Sequence, residues 1–122
     1  MKINKIEIEL TEDDVENIIV TAFEGGINYW CGHVEWEHEK YPKPNGVPVS
    51  TYCAMLLNKG VALTLFDIED ESEIFELTYE KLLKGVELNL INRPFDSDLE
   101  NMDVTTADCI IQYAVFGEIV YC

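Results

Sequence analysis

Cys31 and His33 are the residues best placed to do covalent chemistry in this chain of 122 residues. Two positions apart on an expected strand, they share one face, so a thiol–imidazole pair is sterically possible. A working pair also needs a third group to orient the base, and nothing near them supplies one with any specificity. Adding His38 gives three zinc donors, but the two cysteine pairs of a structural zinc site are missing. Glu35, Glu37 and Glu39 alternate with Trp36 and His38, the pattern of a solvated strand face and not of converging carboxylates. "DSDLENMD" (96–103) lacks the glycine and terminal glutamate of a calcium loop, and there is no phosphate-loop lysine–serine pair and no GxGxxG. The residues give no reason to expect an enzyme, a metal or a cofactor.

Binding has better material. In "AFEGGINYWC" (22–31) two glycines stand directly before Tyr29 and Trp30. Bare backbone at Gly25 and Gly26 would let a ligand approach, with an aromatic face beside it for stacking. The plainer reading makes Gly25 a left-handed helix cap and sends both aromatics into the core. The eight positive charges include one arginine, Arg93, in "NRPF". It either pairs with Asp96 or Asp98 at the surface or, with Asn92 for a base edge, clamps a phosphate. The first turn of the last expected helix, "VTTAD" around Thr105, offers further backbone donors.

The 24 acidic residues against 8 basic give a net charge of −16. That field disfavours a nucleic acid polymer or an anionic membrane as partner. It suits high solubility, or a basic protein surface such as a nuclease groove. A small anionic ligand is not forbidden, because exposed charges are screened over about 8 Å in physiological salt. Four cysteines without a close pair read as reduced thiols, at least two of them buried. Apolar runs fall short of the ~20 residues a bilayer requires, and the alternating start "MKINKIEIEL" is not a signal peptide. A soluble, intracellular protein is expected.

The elements that must hold these residues follow from periodicity. "KIEIEL" (5–10) reads as a half-buried strand. Thr11 caps a helix with Val15, Ile18, Ile19, Ala22 and Phe23 on one stripe. Residues 28–38 read as a strand, the proline-rich 41–50 as a loop, and "STYCAMLLNKG" (50–60) as a short helix capped by Ser50 and closed by Gly60. "VALTLFDI" and "EIFELTY" flank "EDES" as a hairpin. A helix capped at Thr78 turns Leu82, Leu83 and Val86 inward. A last helix, capped by Asp103 or Thr105, is apolar on most sides, so it is central to the core or pressed against another subunit. The sum is one α+β domain over 1–122: a mostly antiparallel sheet of three to four strands with three to four packed helices.

"TAFEGGINYW", "LTYEKLLKGVEL" and "ADCIIQYAVFGEIVY", in that order, resemble a family of small phage-encoded proteins, the first family of Thoeris anti-defence proteins. The resemblance spans nearly the whole chain. It implies a non-enzymatic sponge in the host cytoplasm, which binds a cyclic ADP-ribose isomer intact and keeps it from the NADase effector. It also implies a homo-oligomer with pockets between subunits, and in some members a separate site for cyclic oligonucleotides. The family's sites use several arginines where this chain has only Arg93, which puts oligonucleotide binding in doubt here. Carried over by position, "FEGGINYW" would be the pocket wall, hence Phe23, Gly25, Gly26, Asn28, Tyr29 and Trp30. Asn92 and Arg93 would be polar contacts. The rival expectation is an acidic DNA mimic or other protein-binding inhibitor of a host nuclease or defence protein.

Overall fold

Helix α1 (Glu12–Thr21) opens on a reciprocal cap: the Asp14 N–H donates to the Thr11 hydroxyl at 3.0 Å and the Thr11 N–H to the Asp14 carboxylate at 3.1 Å. Residues 9–122 are described by the computed structural model. The strand expected over 5–10 therefore lies mostly outside the described residues, and of it Leu10 packs half-buried against the core. Val15, Ile18 and Ile19 form the buried stripe of α1 as their spacing dictates.

The end of α1 differs from expectation. Gly25 is not a left-handed cap; its φ is 179°. The chain instead widens into a π-helical turn over Ala22–Gly26, closed by the Ile27 N–H donating to the Ala22 carbonyl at 2.9 Å. A further turn, with the Trp30 and Cys31 N–H groups both on the Ile27 carbonyl, delays the strand. It shortens to β1 (Cys31–Glu35).

Helix α2 (Val49–Asn58) follows the proline loop, with Pro48 and not Ser50 at its N-cap. Ser50 lies inside the helix and gives its hydroxyl to Glu24 of the π turn at 2.5 Å. This sets a carboxylate near the positive end of α2. Gly60 takes φ 86° just beyond the helix, where only a glycine turns freely. Strands β2 (Leu63–Asp67) and β3 (Ile74–Leu77) make the expected hairpin, and β1 pairs antiparallel with β2, giving the order β1-β2-β3. Leu63, Leu65 and Leu77 alternate into the core.

Helix α3 (Tyr79–Asn92) is capped by Thr78, whose hydroxyl accepts from the Lys81 N–H. Leu82 and Val86 are buried, and Leu83 is half-buried. Helix α4 (Val104–Phe116) is capped by Asp103 and ended by Gly117 at φ 78°. Of the two places open to this helix, it takes the central one: every residue from Thr106 to Ala114 is buried. Among the described residues, four α-helices on a three-stranded antiparallel sheet make the fold α+β.

Two glycines let α4 sit so deep. A Cβ on Gly85 of α3 would strike the Ile110 carbonyl and come within 2.9 Å of the Ala114 Cβ. A Cβ on Gly26 would stand 2.8 Å from the Val104 carbonyl. Gly85→Ala gains about 1 kcal/mol of helix propensity, but relief of a backbone clash requires α3 and α4 to part, at about 1–3 kcal/mol or more. Both Gly85→Ala and Gly26→Ala should therefore lower the urea midpoint, whereas Gly46→Ala, with open space around it, should act only through its backbone angle.

Candidate functional site

The π turn, the first turns of α4 and the last residues of the chain enclose a cleft of about 490 Å³. Gly25, Gly26 and Tyr29 form one wall, Val104, Thr105, Asp108 and Cys109 the second, and Ile119, Tyr121 and Cys122 the third. The volume lies within the range that small-molecule sites occupy.

Asp108 organises the floor. Only 8% of it is exposed, and its carboxylate accepts three hydrogen bonds. The Trp30 indole N–H and the Gln112 amide donate to Oδ1 at 2.8 and 2.9 Å, and the Tyr29 hydroxyl donates to Oδ2 at 2.5 Å. Charge-assisted bonds of this kind contribute about 1.5–3 kcal/mol each, which is how a carboxylate stands so deep without a cation. None of the described residues lining the cleft is a lysine, arginine or histidine. Tyr29 is amphipathic: the residue is 48% exposed, while its hydroxyl end turns inward to Asp108. Desolvation, then the bond to Asp108, push that phenol well above its ordinary range.

Gln112 hangs the third wall. Fully buried, it accepts at Oε1 from the Val120 and Tyr121 N–H groups, both at 2.8 Å, and donates to the Tyr121 carbonyl at 3.0 Å. The Tyr121 ring stacks on Trp30 at 5.5 Å with planes 6° apart, and its hydroxyl donates to Asp67 at 3.1 Å. One glutamine thus ties the floor to the chain's last residues.

The expected site residues divide. Gly25, Gly26, Tyr29 and Thr105 line the cleft. Phe23 is half-buried against the core and Asn28 is exposed, both off the cleft lining. Trp30 is not a stacking face for a ligand: it is 1% exposed, with Phe75, Phe116 and Tyr121 around its ring. Asn92 gives its amide to the Leu88 carbonyl, and Arg93 takes the surface-pair alternative. The Arg93 guanidinium meets Asp96 at 2.7 Å and the buried Asn89 carbonyl at 3.1 Å. The first turn of α4 is likewise occupied, since the Asp103 carboxylate accepts from the Thr106 N–H at 2.9 Å and Asp96 from the Thr106 hydroxyl.

Cys31 and His33 fail as a pair for a reason that period-two reasoning cannot contain. Gly32 is bulged, so Cys31 sits opposite Asp67 and His33 opposite Phe66. The thiol is buried, while the imidazole lies outside, stacked on Phe66 at 4.2 Å. His38 bonds to Glu35 at 2.6 Å. Among the described residues no three metal-ligating side chains converge.

Sequence reasoning passed over Asp108, Gln112, Cys109 and Tyr121. The signal was present: an aspartate and a glutamine four apart within "ADCIIQYAV", one face of a helix otherwise apolar.

Burial pushes the Cys31 thiol up to about 11 and the Cys53 thiol up to about 12, from an ordinary 9.0. Both raised thiols contribute stability that is complete below pH 9.0 and is lost as pH climbs through 11 and 12. Urea titrations between pH 8 and 11 should show that decline, and Cys53→Ala, offset by its cavity cost at neutral pH, should flatten it. Beside this geometry, comparison with known proteins adds nothing: the chain matches no family, no curated protein and no solved structure.

Proposed function

We propose that the chain is a non-catalytic binding protein for a small nucleotide, a sponge of the kind its resemblance to the first Thoeris anti-defence family implies. Its ligand in this reading is a cyclic ADP-ribose isomer, held intact in the host cytoplasm so that the NADase effector goes unactivated. One observation carries the reading: a small-molecule-sized cleft whose wall includes the half-exposed Tyr29. Stacking of a base on such a ring contributes about 1–3 kcal/mol.

The cleft's own chemistry supports retention over turnover. Its lining contains no histidine to act as a base, and desolvation pushes the Cys109 thiol up, away from the thiolate a nucleophile needs. The ligand's polarity is then assigned by elimination. Arg93, Asn92 and the α4 cap are already paired within the chain, so the base enters the cleft and the phosphates stay at its solvent-facing mouth. Val104, Ile119 and Val120 are exposed around that mouth, and we assign this apolar rim to a second copy of the chain, in keeping with a homo-oligomer.

A second reading, the acidic inhibitor of a host protein, has its own observation. Glu35 of the same strand and Glu71 of the β2–β3 turn approach His33, and Glu69, Asp70, Glu73, Glu37 and Glu39 are exposed nearby in sequence. Salt-sensitive capture of a basic nuclease, abolished by charge reversal of Glu35, Glu37 and Glu39, would favour this reading over the first.

Calorimetry with cyclic ADP-ribose isomers, followed by heat release and analysis of the nucleotide, tests the sponge. The expected result is saturable binding and recovery of uncleaved ligand; no binding, or a cleaved product, overturns it. Arg93→Ala should leave affinity within about twofold, since its guanidinium is engaged with Asp96, while Tyr29→Ala should weaken binding about tenfold or more, the loss of one stacking face.

A further inference from the structure

The two oxygens of Asp108 are not equivalent. Oδ1 faces the interior and is filled by two buried donors, Trp30 and Gln112. Oδ2 meets only the Tyr29 hydroxyl, on the side where Tyr29 and Asp108 both line the cleft. A carboxylate oxygen accepts about two hydrogen bonds, so Oδ2 keeps one acceptor position toward a ligand.

We propose that this oxygen reads an exocyclic amine on a flat heterocycle, and that Asp108 is the specificity-determining residue of the cleft. The inference rests on the nucleotide reading above and names the part of the ligand that enters first: the amino edge of the base. Three alternatives fit worse. An anion would meet a desolvated carboxylate with no cation on the lining. An alkylammonium ion offers no flat face to the Tyr29 ring on the lining. A guanine edge would present its paired N–H groups to both oxygens of one carboxylate, and Oδ1 is already engaged. A ring with one amino group gives one N–H to the open position and the other to water at the cleft's mouth, and its flat face matches the ring of Tyr29. The net charge of −16 adds a long-range field that favours the donor end of a ligand turning inward.

Adenosine, purine riboside and N6,N6-dimethyladenosine differ at this one edge, where the last two carry no N–H, and all are uncharged. Titrated into the intact protein by calorimetry, adenosine should bind at least about tenfold tighter than either analogue, the penalty a polar site imposes on a ligand lacking its donor. Asp108→Asn should remove the preference, and Tyr29→Phe, which deletes the competing hydroxyl and keeps the ring, should preserve it. The ligand comparison needs no variant, so it stands even if Asp108→Asn fails to fold. Equal affinity for the three nucleosides, or no saturable binding by any of them at millimolar concentration, overturns the proposal. A preference lost in Tyr29→Phe and kept in Asp108→Asn also overturns it, by giving the readout to the phenol. If the nucleosides are discriminated and no cyclic ADP-ribose isomer binds, the sponge falls and the amine readout stands. If an isomer binds with equal affinity after its adenine is replaced by unsubstituted purine, the sponge stands and the readout falls.

Discussion

Helix α4 lies at backbone contact with its neighbours, and the rest of the molecule is arranged around that proximity. Gly85 admits the Ile110 carbonyl against α3, and Gly26 admits the Val104 carbonyl against the π turn. Because interiors are packed as densely as organic crystals, neither contact tolerates an added methyl without displacing a whole helix. The double glycine before the aromatic pair is thus partly a packing device, with Gly26 letting α4 in while both glycines also face the cleft. Core and candidate site are built from the same approach.

A helix buried on all sides would ordinarily be apolar throughout. Here α4 carries Asp108 and Gln112 inward, and Gln112 is tied at both ends of its amide while Asp108 accepts three hydrogen bonds. Removing a single member would strand the others, which is what makes a buried polar network specify one arrangement. The network fixes where the indole of Trp30 points, how the Tyr29 phenol turns, and where the last residues of the chain lie. It is a positional device before it is a chemical one, and the cleft is the space left between the parts that it positions.

Most of the fold was legible in the sequence because it depends on local periodicity and caps. Thr11, Thr78 and Asp103 sit where side-chain oxygens meet free N–H groups, and the hairpin around residues 69–72 follows from two alternating runs. What stayed hidden depends on departures from periodicity. The π turn shifts every residue after Ala22 in phase, so Tyr29 faces the cleft and Trp30 the core, which no reading of "NYW" alone distinguishes. The bulge at Gly32 separates Cys31 from His33. Arg93 was legible only as two alternatives, because whether a guanidinium finds Asp96 or a ligand depends on the geometry of a proline-pinned turn. Gly25 and Gly26, singled out in the sequence, do line the cleft, whereas Asp108 carried only the weaker signal of its spacing from Gln112.

The same bulge bears on colloidal behaviour. Among the described residues the sheet is ordered β1-β2-β3, and its outer strands present backbone groups of the kind on which amyloid-like stacking starts. Gly32 bends β1 out of regular register, and Glu35 and Glu76 place carboxylates on the two margins. Molecules meeting side by side therefore confront a kinked border and repelling charge, so a concentrated sample has little means of zipping into fibrils through this sheet.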